Sequence, residues 1–335
     1  MMKRRDFLKT TTLAAGAISM GVVPGKAQSS KNSKNLEKVM LKQPGKIPMR
    51  QYGKSDVKLS VIGFGGIVVM GNDQEHANKL VPEVFERGVN YFDVAPSYGD
   101  GEAEIKLGPA LEPYRKKSFL ACKTGKREYG PAKEELEQSL KRLKTDYFDL
   151  YQLHAITDVE KDVDVAFGKG GVMELLIEAK KEGRIRFLGF SAHSHEAALA
   201  AMDRYDFDSI LFPVNFTNYY KGNFGSEVIK TATEKEVAIL ALKMFASQKW
   251  PKDDPNRKTY SKCWYQPITD PKQAKLAMAF TLSQPVTAAL PPGNETLFRM
   301  AMDLAMEYEP ITAVQTEKVK ALAMDLDPIF EHKKG

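Results

Sequence analysis

An alternation of short apolar runs with longer amphipathic segments repeats eight times after residue 48 of this 335-residue chain, and it constrains the fold more than any other feature. Most of the runs are almost continuously apolar, as strands buried on both faces require. They span Leu59–Gly65, Asn90–Ala95, Phe119–Thr124, Phe148–His154, Arg186–Ser191, Ser209–Phe216, Ala238–Met244 and Val286–Leu290. Helical periodicity is clearest at Pro131–Leu143, Gly171–Glu182, Ser194–Tyr205, Pro271–Ser283 and Asn294–Met306. Eight strand-then-helix units in about 290 residues predict an α/β fold, the (β/α)8 TIM barrel.

A doubly wound open sheet is the alternative arrangement of such units. Its dinucleotide-binding form needs a G-x-G-x-x-G turn after an early strand. The segment Gly63-Phe64-Gly65-Gly66 lacks the last glycine at that spacing, so the barrel is favoured. The longest irregular stretch, Ala246–Asp270, is predicted to be a loop after the seventh strand, where barrel loops commonly shape a binding site.

The positive charge of the chain is concentrated at its N-terminus. Ten Lys and Arg residues against two acids give residues 1–47 a charge of +8, which leaves −2 for the other 288 residues of a chain whose total is +6. A nucleic-acid-binding domain is basic in its own right, so we expect no nucleic-acid partner. Two cysteines, Cys122 and Cys263, exclude a disulfide framework and a four-cysteine zinc site.

The N-terminal segment has the composition of an export signal. Arg4-Arg5-Asp6-Phe7-Leu8-Lys9 resembles the twin-arginine signal, and a mildly apolar run follows up to Val23. We predict a signal peptide at 1–27, a basic flexible linker at 28–47 and the barrel domain at 48–335. The resemblance implies the twin-arginine export machinery as a partner and a periplasmic location, without a stable membrane span in the mature form. An uncleaved membrane tether and a basic amphipathic cytoplasmic start are the alternatives.

Polar residues stand at the ends of three consecutive predicted strands. Asp93 ends the second strand with Tyr98 in the loop beyond it, Lys123 lies near the end of the third, and His154 ends the fourth. Barrel enzymes react at the C-terminal ends of their strands, and neighbouring strands lie about 4.8 Å apart. We therefore expect the four side chains to converge. Each has a simpler interpretation on its own, such as a structural ion pair between Asp93 and Lys123.

The joint pattern resembles the aldo-keto reductase family, which is built on a (β/α)8 barrel. The matching blocks are Asn90-Tyr91-Phe92-Asp93-Val94-Ala95-Pro96-Ser97-Tyr98-Gly99, Cys122-Lys123-Thr124, Asp149-Leu150-Tyr151-Gln152-Leu153-His154, Gly189-Phe190-Ser191 and Pro213-Val214-Asn215. The resemblance implies hydride transfer between NAD(P)H and a carbonyl/alcohol pair such as an aldehyde, a ketone or a sugar. Five separated blocks in the family's order make the likeness specific.

The resemblance also implies a role for each of the four residues. Tyr98 is the general acid for the carbonyl oxygen, and Lys123 lowers the Tyr98 pKa from its usual value near 10. Asp93 holds Lys123 in place. His154 donates to the same oxygen and positions the substrate.

Cofactor contacts follow the family pattern less closely. The candidates that bind the nucleotide are Ser191, Lys243, Gly293, Asn294 and Arg299. The Asn, the Gln and the ring-stacking Tyr that are usual in the family are replaced here by Ala192, Leu211 and Leu242, respectively. The helix opened by Gly293 and Asn294 can receive phosphate at its N-terminus. Glu295 repels a 2′-phosphate whereas Arg299 attracts one. The resemblance favours NADP(H) over NAD(H).

Two other functions are open. His193 and His195, with His154 and Asp93, suggest a metal-dependent barrel hydrolase, because strand residues two apart point the same way. However, Ser194 is predicted to begin a helix that turns His195 away, so we expect no metal and assign His193 to the substrate pocket. The second alternative is a relative that binds nucleotide without catalysis.

Overall fold

The barrel predicted from the alternation is present. The structure, a computed structural model, describes Gln43 and residues 45–332. Its main sheet has eight parallel strands in chain order: β1 Phe64–Gly65, β2 Tyr91–Asp93, β3 Phe119–Thr124, β4 Phe148–Ile156, β5 Ile185–Ala192, β6 Ser209–Pro213, β7 Ala238–Leu242 and β8 Val286–Ala289. Ile62 forms a parallel bridge with Ala289, and the Gly63 amide donates to the Ala289 carbonyl at 3.0 Å. These contacts join the last strand to the first, which confirms the predicted fold.

A helix follows each barrel strand. The eight are α1 Gln74–Glu86, α2 Glu102–Leu111, α3 Tyr129–Arg142, α4 Val172–Lys181, α5 His195–Arg204, α6 Ser226–Glu234, α7 Pro271–Ser283 and α8 Glu295–Met306, and α9 Ala313–Met324 follows them. Shorter helical turns are Gly66–Val69, Glu112–Lys117, Val159–Asp164, Val165–Phe167, Phe216–Tyr220 and Asn256–Thr259. Side chains of Ser194, Asp270 and Asn294 cap α5, α7 and α8 by accepting from backbone N–H groups. These caps explain why the predicted helix starts agree with the structure.

The first predicted strand, Leu59–Gly65, is two elements. Lys58–Ser60 pairs antiparallel with Met49–Gln51, and only Phe64–Gly65 joins the barrel. Gly63 lies between them, where an added Cβ would stand 2.4 Å from the Tyr91 ring. The chain therefore crosses from the hairpin into the barrel at a point that only glycine allows. An apolar run by itself does not show such a break.

Alternation along the strands divides the barrel interior into layers. Near its N-terminal end, Tyr52 from the hairpin packs against Phe119 and Phe187 with ring centres 5.1 and 5.2 Å away. Small and aliphatic side chains such as Ala121 and Leu150 fill the middle. Because inward positions alternate, the next inward residues on β2 and β3 are polar and lie at the C-terminal end.

The stretch Ala246–Asp270 is not a simple loop. Ala246–Gln248 pairs antiparallel with Gln266–Pro267, and a turn of helix lies between them. The chain after α9 approaches this stretch, because the Lys249 amide donates to the Asp327 carbonyl at 3.0 Å. Both segments lie near the C-terminal ends of the strands and bring aromatic side chains there.

The predicted signal peptide and most of the predicted linker lie outside the described residues. Across residues 45–332, none of the helices has both the length and the apolar content needed to span a bilayer.

Candidate active site

A buried ion pair forms the base of the site. Lys123 on β3 donates to the Asp93 carboxylate on β2, and the two side chains are 0% and 1% exposed. Lys123 also donates to the Val94 carbonyl at 3.1 Å, and the Tyr91 hydroxyl donates to Asp93 at 3.0 Å. Burial opposes the Lys123 charge, but Asp93 and Tyr98 raise the pKa of this ammonium overall. Strand alternation turns all three side chains inward, so the pair is held from several sides.

Tyr98 lies above this pair in the loop after β2. Its ring centre is 5.2 Å from the Lys123 ammonium. Burial raises the pKa of Tyr98, and the opposing effect of Lys123 does not overcome it. The sequence predicted that Lys123 lowers the pKa of Tyr98, and the contribution of Lys123 has that direction. The net change is the opposite, because the effect of burial is larger. The phenol is protonated at neutral pH and can serve as a proton donor.

His154 approaches Tyr98 from the next strand. Its ring centre lies 5.9 Å from that of Tyr98 at an interplanar angle of 79°, and Nδ1 is 3.4 Å from the Ser97 hydroxyl. The register of β4 shifts after Leu153, and Ala155 has a φ of 53°. Burial, followed by the charge of Lys123, lowers the pKa of His154 to about 3. The imidazole is neutral at physiological pH, so any hydrogen bond that it donates comes from a neutral ring.

The structure thus brings the four predicted catalytic residues to one end of the barrel. Sequence reasoning missed the second support of Asp93, the hydroxyl of Tyr91. It also missed Arg127, which donates to the His154 carbonyl at 2.6 Å and so stabilises the backbone where the register of β4 shifts. Tyr91 could have been found, since it stands two residues before Asp93 on the same strand and faces the same side.

Polar groups also lie on β4, at the end of β5 and just after β6. Ser191 is 1% exposed at the end of β5, and its Oγ accepts from the Ala155 amide at 2.7 Å. Both polar atoms of the buried Gln152 amide and the Nδ2 atom of Asn215 have no hydrogen-bond partner among the described residues. Unsatisfied buried amides are rare and call for a ligand or water. This donor and acceptor set fits the carboxamide of a nicotinamide ring.

The predicted phosphate-binding residues lie in the turn after β8 and on α8, which follows it. An added Cβ at Gly293 would lie 2.3 Å from Ile67, so the chain passes the loop after β1 closely. Asn294 caps α8 by accepting from the Leu297 amide at 3.2 Å. The backbone at this N-terminus suits an anion, but the Asn294 side chain is already engaged.

Arg299 is bound to two carboxylates. Its guanidinium donates to both oxygens of Glu83 and, through Nε, to Glu295 at 2.9 Å. Glu295 also lies 2.6 Å from His76 Nε2. The hydrogen bonds that Arg299 donates to Glu83 and Glu295 raise its pKa further. The arginine that is expected to bind a 2′-phosphate is thus partly neutralised.

Comparison with known proteins agrees with this geometry. Residues 61–288 match the model of the aldo/keto reductase family. The chain belongs to the aldo/keto reductase family. It is 36% identical over 155 residues to the uncharacterized oxidoreductase YqkF of Bacillus subtilis, a match that covers 43% of this chain and 48% of that protein. It is 30% identical over 172 residues to the L-galactose dehydrogenase of Arabidopsis thaliana, covering 48% and 53%. The chain spans about half the length of these curated relatives.

A solved structure is similar over most of the barrel. The holo form of the aldo-keto reductase AKR11C1 from Bacillus halodurans superposes with a TM-score of 0.65 at 25% identity, covering 82% of this chain and 95% of that one. Its apo form superposes with a TM-score of 0.62 at 26% identity. The likeness therefore extends well beyond the catalytic blocks.

His193 and His195, the two histidines that suggested a metal site in this aldo/keto reductase, face different surroundings. His193 lies 5.3 Å from the Phe330 ring, and burial lowers its pKa to about 4. His195 begins α5, stacks on His332 at 4.1 Å and contacts Glu227 at 3.1 Å. Within the described residues, no three His, Cys, Asp or Glu side chains are grouped so that they could hold a metal ion. The structure therefore places only His193 with the mouth.

Proposed function

We propose that the protein is an NAD(P)(H)-dependent oxidoreductase that reduces an aldehyde, ketone or sugar carbonyl to an alcohol, or catalyses the reverse reaction. One observation carries the proposal: Tyr98 and His154 meet above the buried Lys123–Asp93 pair at the C-terminal end of the barrel. Membership of the aldo/keto reductase family supports the same reaction.

Proton transfer is the task of Tyr98. A nicotinamide cofactor, when bound, supplies the hydride, and the carbonyl oxygen then gains negative charge. Because burial keeps Tyr98 protonated, its hydroxyl can give a proton to that oxygen. Lys123 stabilises the phenolate that remains, and Asp93 keeps the ammonium charged and in position. This division of roles explains why a cation is buried beneath a tyrosine.

His154 positions the carbonyl. Its neutral ring, next to the Tyr98 ring, can donate one hydrogen bond to the same oxygen. If Nδ1 accepts from Ser97, the proton resides on Nε2. A preorganised donor of this kind stabilises developing charge, since it needs no reorientation during the reaction.

We propose that the nicotinamide carboxamide is bound by Ser191, Gln152 and Asn215, because the buried amides of Gln152 and Asn215 have polar atoms without a partner among the described residues. The phosphates would meet the backbone at the N-terminus of α8, where Gly293 keeps the chain close to Ile67. Lys243, another candidate for binding the nucleotide, directly follows β7 at this mouth.

The sequence-based preference for NADP(H) remains a prediction, and Arg299 bears on it. To bind a 2′-phosphate, Arg299 has to exchange at least one contact to Glu83 or Glu295. We therefore propose that NADP(H) is preferred by a small factor, below about tenfold (1.4 kcal/mol). Dissociation constants for NADPH and NADH, measured by quenching of protein fluorescence, test this. Equal or tighter binding of NADH contradicts it.

Export through the twin-arginine machinery to the periplasm is likewise a proposal, supported by Arg4, Arg5 and the run that follows them. Cell fractionation of the full chain beside an Arg4→Lys, Arg5→Lys variant tests it. Retention of both forms in the cytoplasm overturns it.

The deciding experiment for the reaction follows NADPH and NADH oxidation with a panel of aldehydes, ketones and sugars. Tyr98→Phe should abolish turnover and retain nucleotide binding. Bound nucleotide without turnover on any carbonyl favours the non-catalytic alternative. Bound zinc without nucleotide binding favours the hydrolase.

A further inference from the structure

At the mouth of the barrel lies an ammonium that has no acidic partner among residues 45–332. Lys243 directly follows β7, and its Nζ lies 5.3 Å from the Trp264 ring centre and 5.1 Å from the Tyr265 ring centre. The two rings belong to the stretch after β7 and are nearly perpendicular, at 87°. Such rings attract a cation through their faces. They hold the ammonium in place but leave its charge uncompensated.

Two other cations at this mouth are paired with carboxylates, and Lys262 donates to the Val68 carbonyl at 3.0 Å. Lys123 is bonded to Asp93, and Arg127 is bonded to Asp162 at 2.9 Å. In the part of the chain that the structure describes, no carboxylate lies within ion-pair distance of Lys243. Lys243 therefore supplies an uncompensated positive charge.

The charge of Lys243 acts on the catalytic end of the mouth. The Trp264 ring beside this ammonium lies 5.8 Å from the Phe330 ring, and Phe330 lies 5.3 Å from the His193 ring. The charge of Lys243 contributes to the lowered pKa values of His193 and His154. Burial lowers the pKa of Lys243 itself to about 8, because no anion offsets the loss of water. A bound anion would restore that interaction.

The backbone also indicates a functional position. Lys243 has a φ of 65°, in the left-handed region that residues other than glycine, asparagine and aspartate seldom adopt. Strain of this kind persists where the surrounding structure imposes it, often at binding sites. Here the strained residue is Lys243, whose ammonium lies against two aromatic rings.

We propose that Lys243 binds a carboxylate of the carbonyl substrate, so that the enzyme prefers oxo acids to neutral carbonyls of the same size. This inference rests on the proposed function. The ring contacts that lead from Trp264 through Phe330 to His193, the predicted residue of the substrate pocket, favour a substrate group over the phosphates of the nucleotide, which are expected at α8. Trp264 and Tyr265 position the ammonium and flank the bound carboxylate.

Matched substrates test the proposal. We would compare kcat/KM for glyoxylate, succinic semialdehyde and 4-formylbenzoate with their neutral amides, in the wild type and in Lys243→Met and Lys243→Arg. The three acids vary the distance between carbonyl and carboxylate. We expect at least one acid to exceed its amide by tenfold or more, this ratio to approach one in Lys243→Met, and Lys243→Arg to retain part of it. Lys252→Met, which removes an exposed charge from the same stretch, should keep the wild-type ratio.

Contrary outcomes are distinct. Acid-to-amide ratios near one for all three wild-type pairs, or an unchanged ratio in Lys243→Met, overturn the proposal. Weaker NADPH binding in Lys243→Met with an unchanged ratio assigns Lys243 to the nucleotide instead.

A calorimetric titration separates this inference from the proposed reaction. The probes are 4-(hydroxymethyl)benzoate and its amide, with and without NADP⁺. If no carbonyl is turned over, the proposed function fails, and the anion site is judged on binding alone. Tighter binding of the acid that Lys243→Met removes supports the site, and equal binding of acid and amide overturns it.

Discussion

Two charged clusters at the same end of the barrel differ in how their side chains are held. Lys123 and Asp93 are 0% and 1% exposed, and they lie on adjacent strands whose alternation leaves no other orientation. Arg299 and Glu83 are 37% and 43% exposed, on two helices outside the barrel. The first pair is held in place by the direction of its side chains along the strands and by the packing around them. The second can exchange partners with water or ligand, so the residue type alone says less about its role.

The position of a charged side chain can therefore be predicted from the sequence when strand geometry sets the direction in which it points. Lys123 could be placed from its position near the end of an apolar run. Arg299 could be placed on a helix, but its binding to Glu83, 216 residues earlier in the chain, could not be foreseen.

Removal of the buried cation should have the largest effect on activity and stability. Lys123→Met should lower kcat by about 10³-fold, because Tyr98 loses the charge that stabilises its phenolate. It should also lower the free energy of unfolding by about 3–5 kcal/mol, since the buried Asp93 is left unpaired. Steady-state kinetics and urea unfolding measure the two effects. The exposed Lys126→Met is the matched control, and a loss shared by both variants would refute the special role of the buried site.

Acid pH should destabilise the catalytic side. His154 and His193 have pKa values of about 3 and about 4 in the folded protein, below the usual 6.5 of an unfolded chain. Between those values the unfolded state binds more protons, so stability falls as pH drops from 6.5 toward 4. The slope is at most about 1.4 kcal/mol per pH unit for each histidine.

Urea unfolding at pH 7, 6, 5 and 4 measures this slope. The double variant His154→Gln, His193→Gln should show a shallower dependence on pH. An identical dependence in both proteins would show that other groups are responsible.

Tyr91→Phe probes the support beneath the buried pair. The variant removes the hydroxyl that donates to Asp93 at 3.0 Å and keeps the ring. We expect a loss of about 1 kcal/mol in stability, as for a single buried hydrogen bond, and a decrease in kcat of up to about tenfold. The affinity for nucleotide should not change. A fall in nucleotide affinity without a change in kcat would place Tyr91 in a different role.

The exposed cluster should respond least. Glu295→Gln weakens the hold on Arg299 and removes a charge that repels a 2′-phosphate, so NADPH affinity should rise by about threefold with little change for NADH. The exposed Glu307→Gln, on the residue after α8, is the control for loss of one negative charge. Equal gains for both nucleotides would mean that Arg299 does not recognise the 2′-phosphate.

The structure within the predicted loop at Ala246–Asp270 could not be predicted from the sequence. Its length and place after β7 were predictable, but the strand pair at Ala246–Gln248 and Gln266–Pro267 was not, because each partner is only two or three residues long. Short strands have too few residues to show a period. The orientation of Trp264 and Tyr265 toward Lys243 depends on that pairing.

The amino-acid sequence by itself determined the barrel and the convergence of Asp93, Tyr98, Lys123 and His154. Both follow from local rules: the period of two along a strand, the apolar content of buried strands and the shared direction of parallel strand ends. The tertiary structure alone decided that burial raises the pKa of Tyr98 and that Arg299 is bound by two glutamates. It also decided that Lys243 lies against two aromatic rings and has no acidic partner among the described residues. These properties depend on groups that are distant in the chain and on the water that packing excludes, and no local pattern encodes either one.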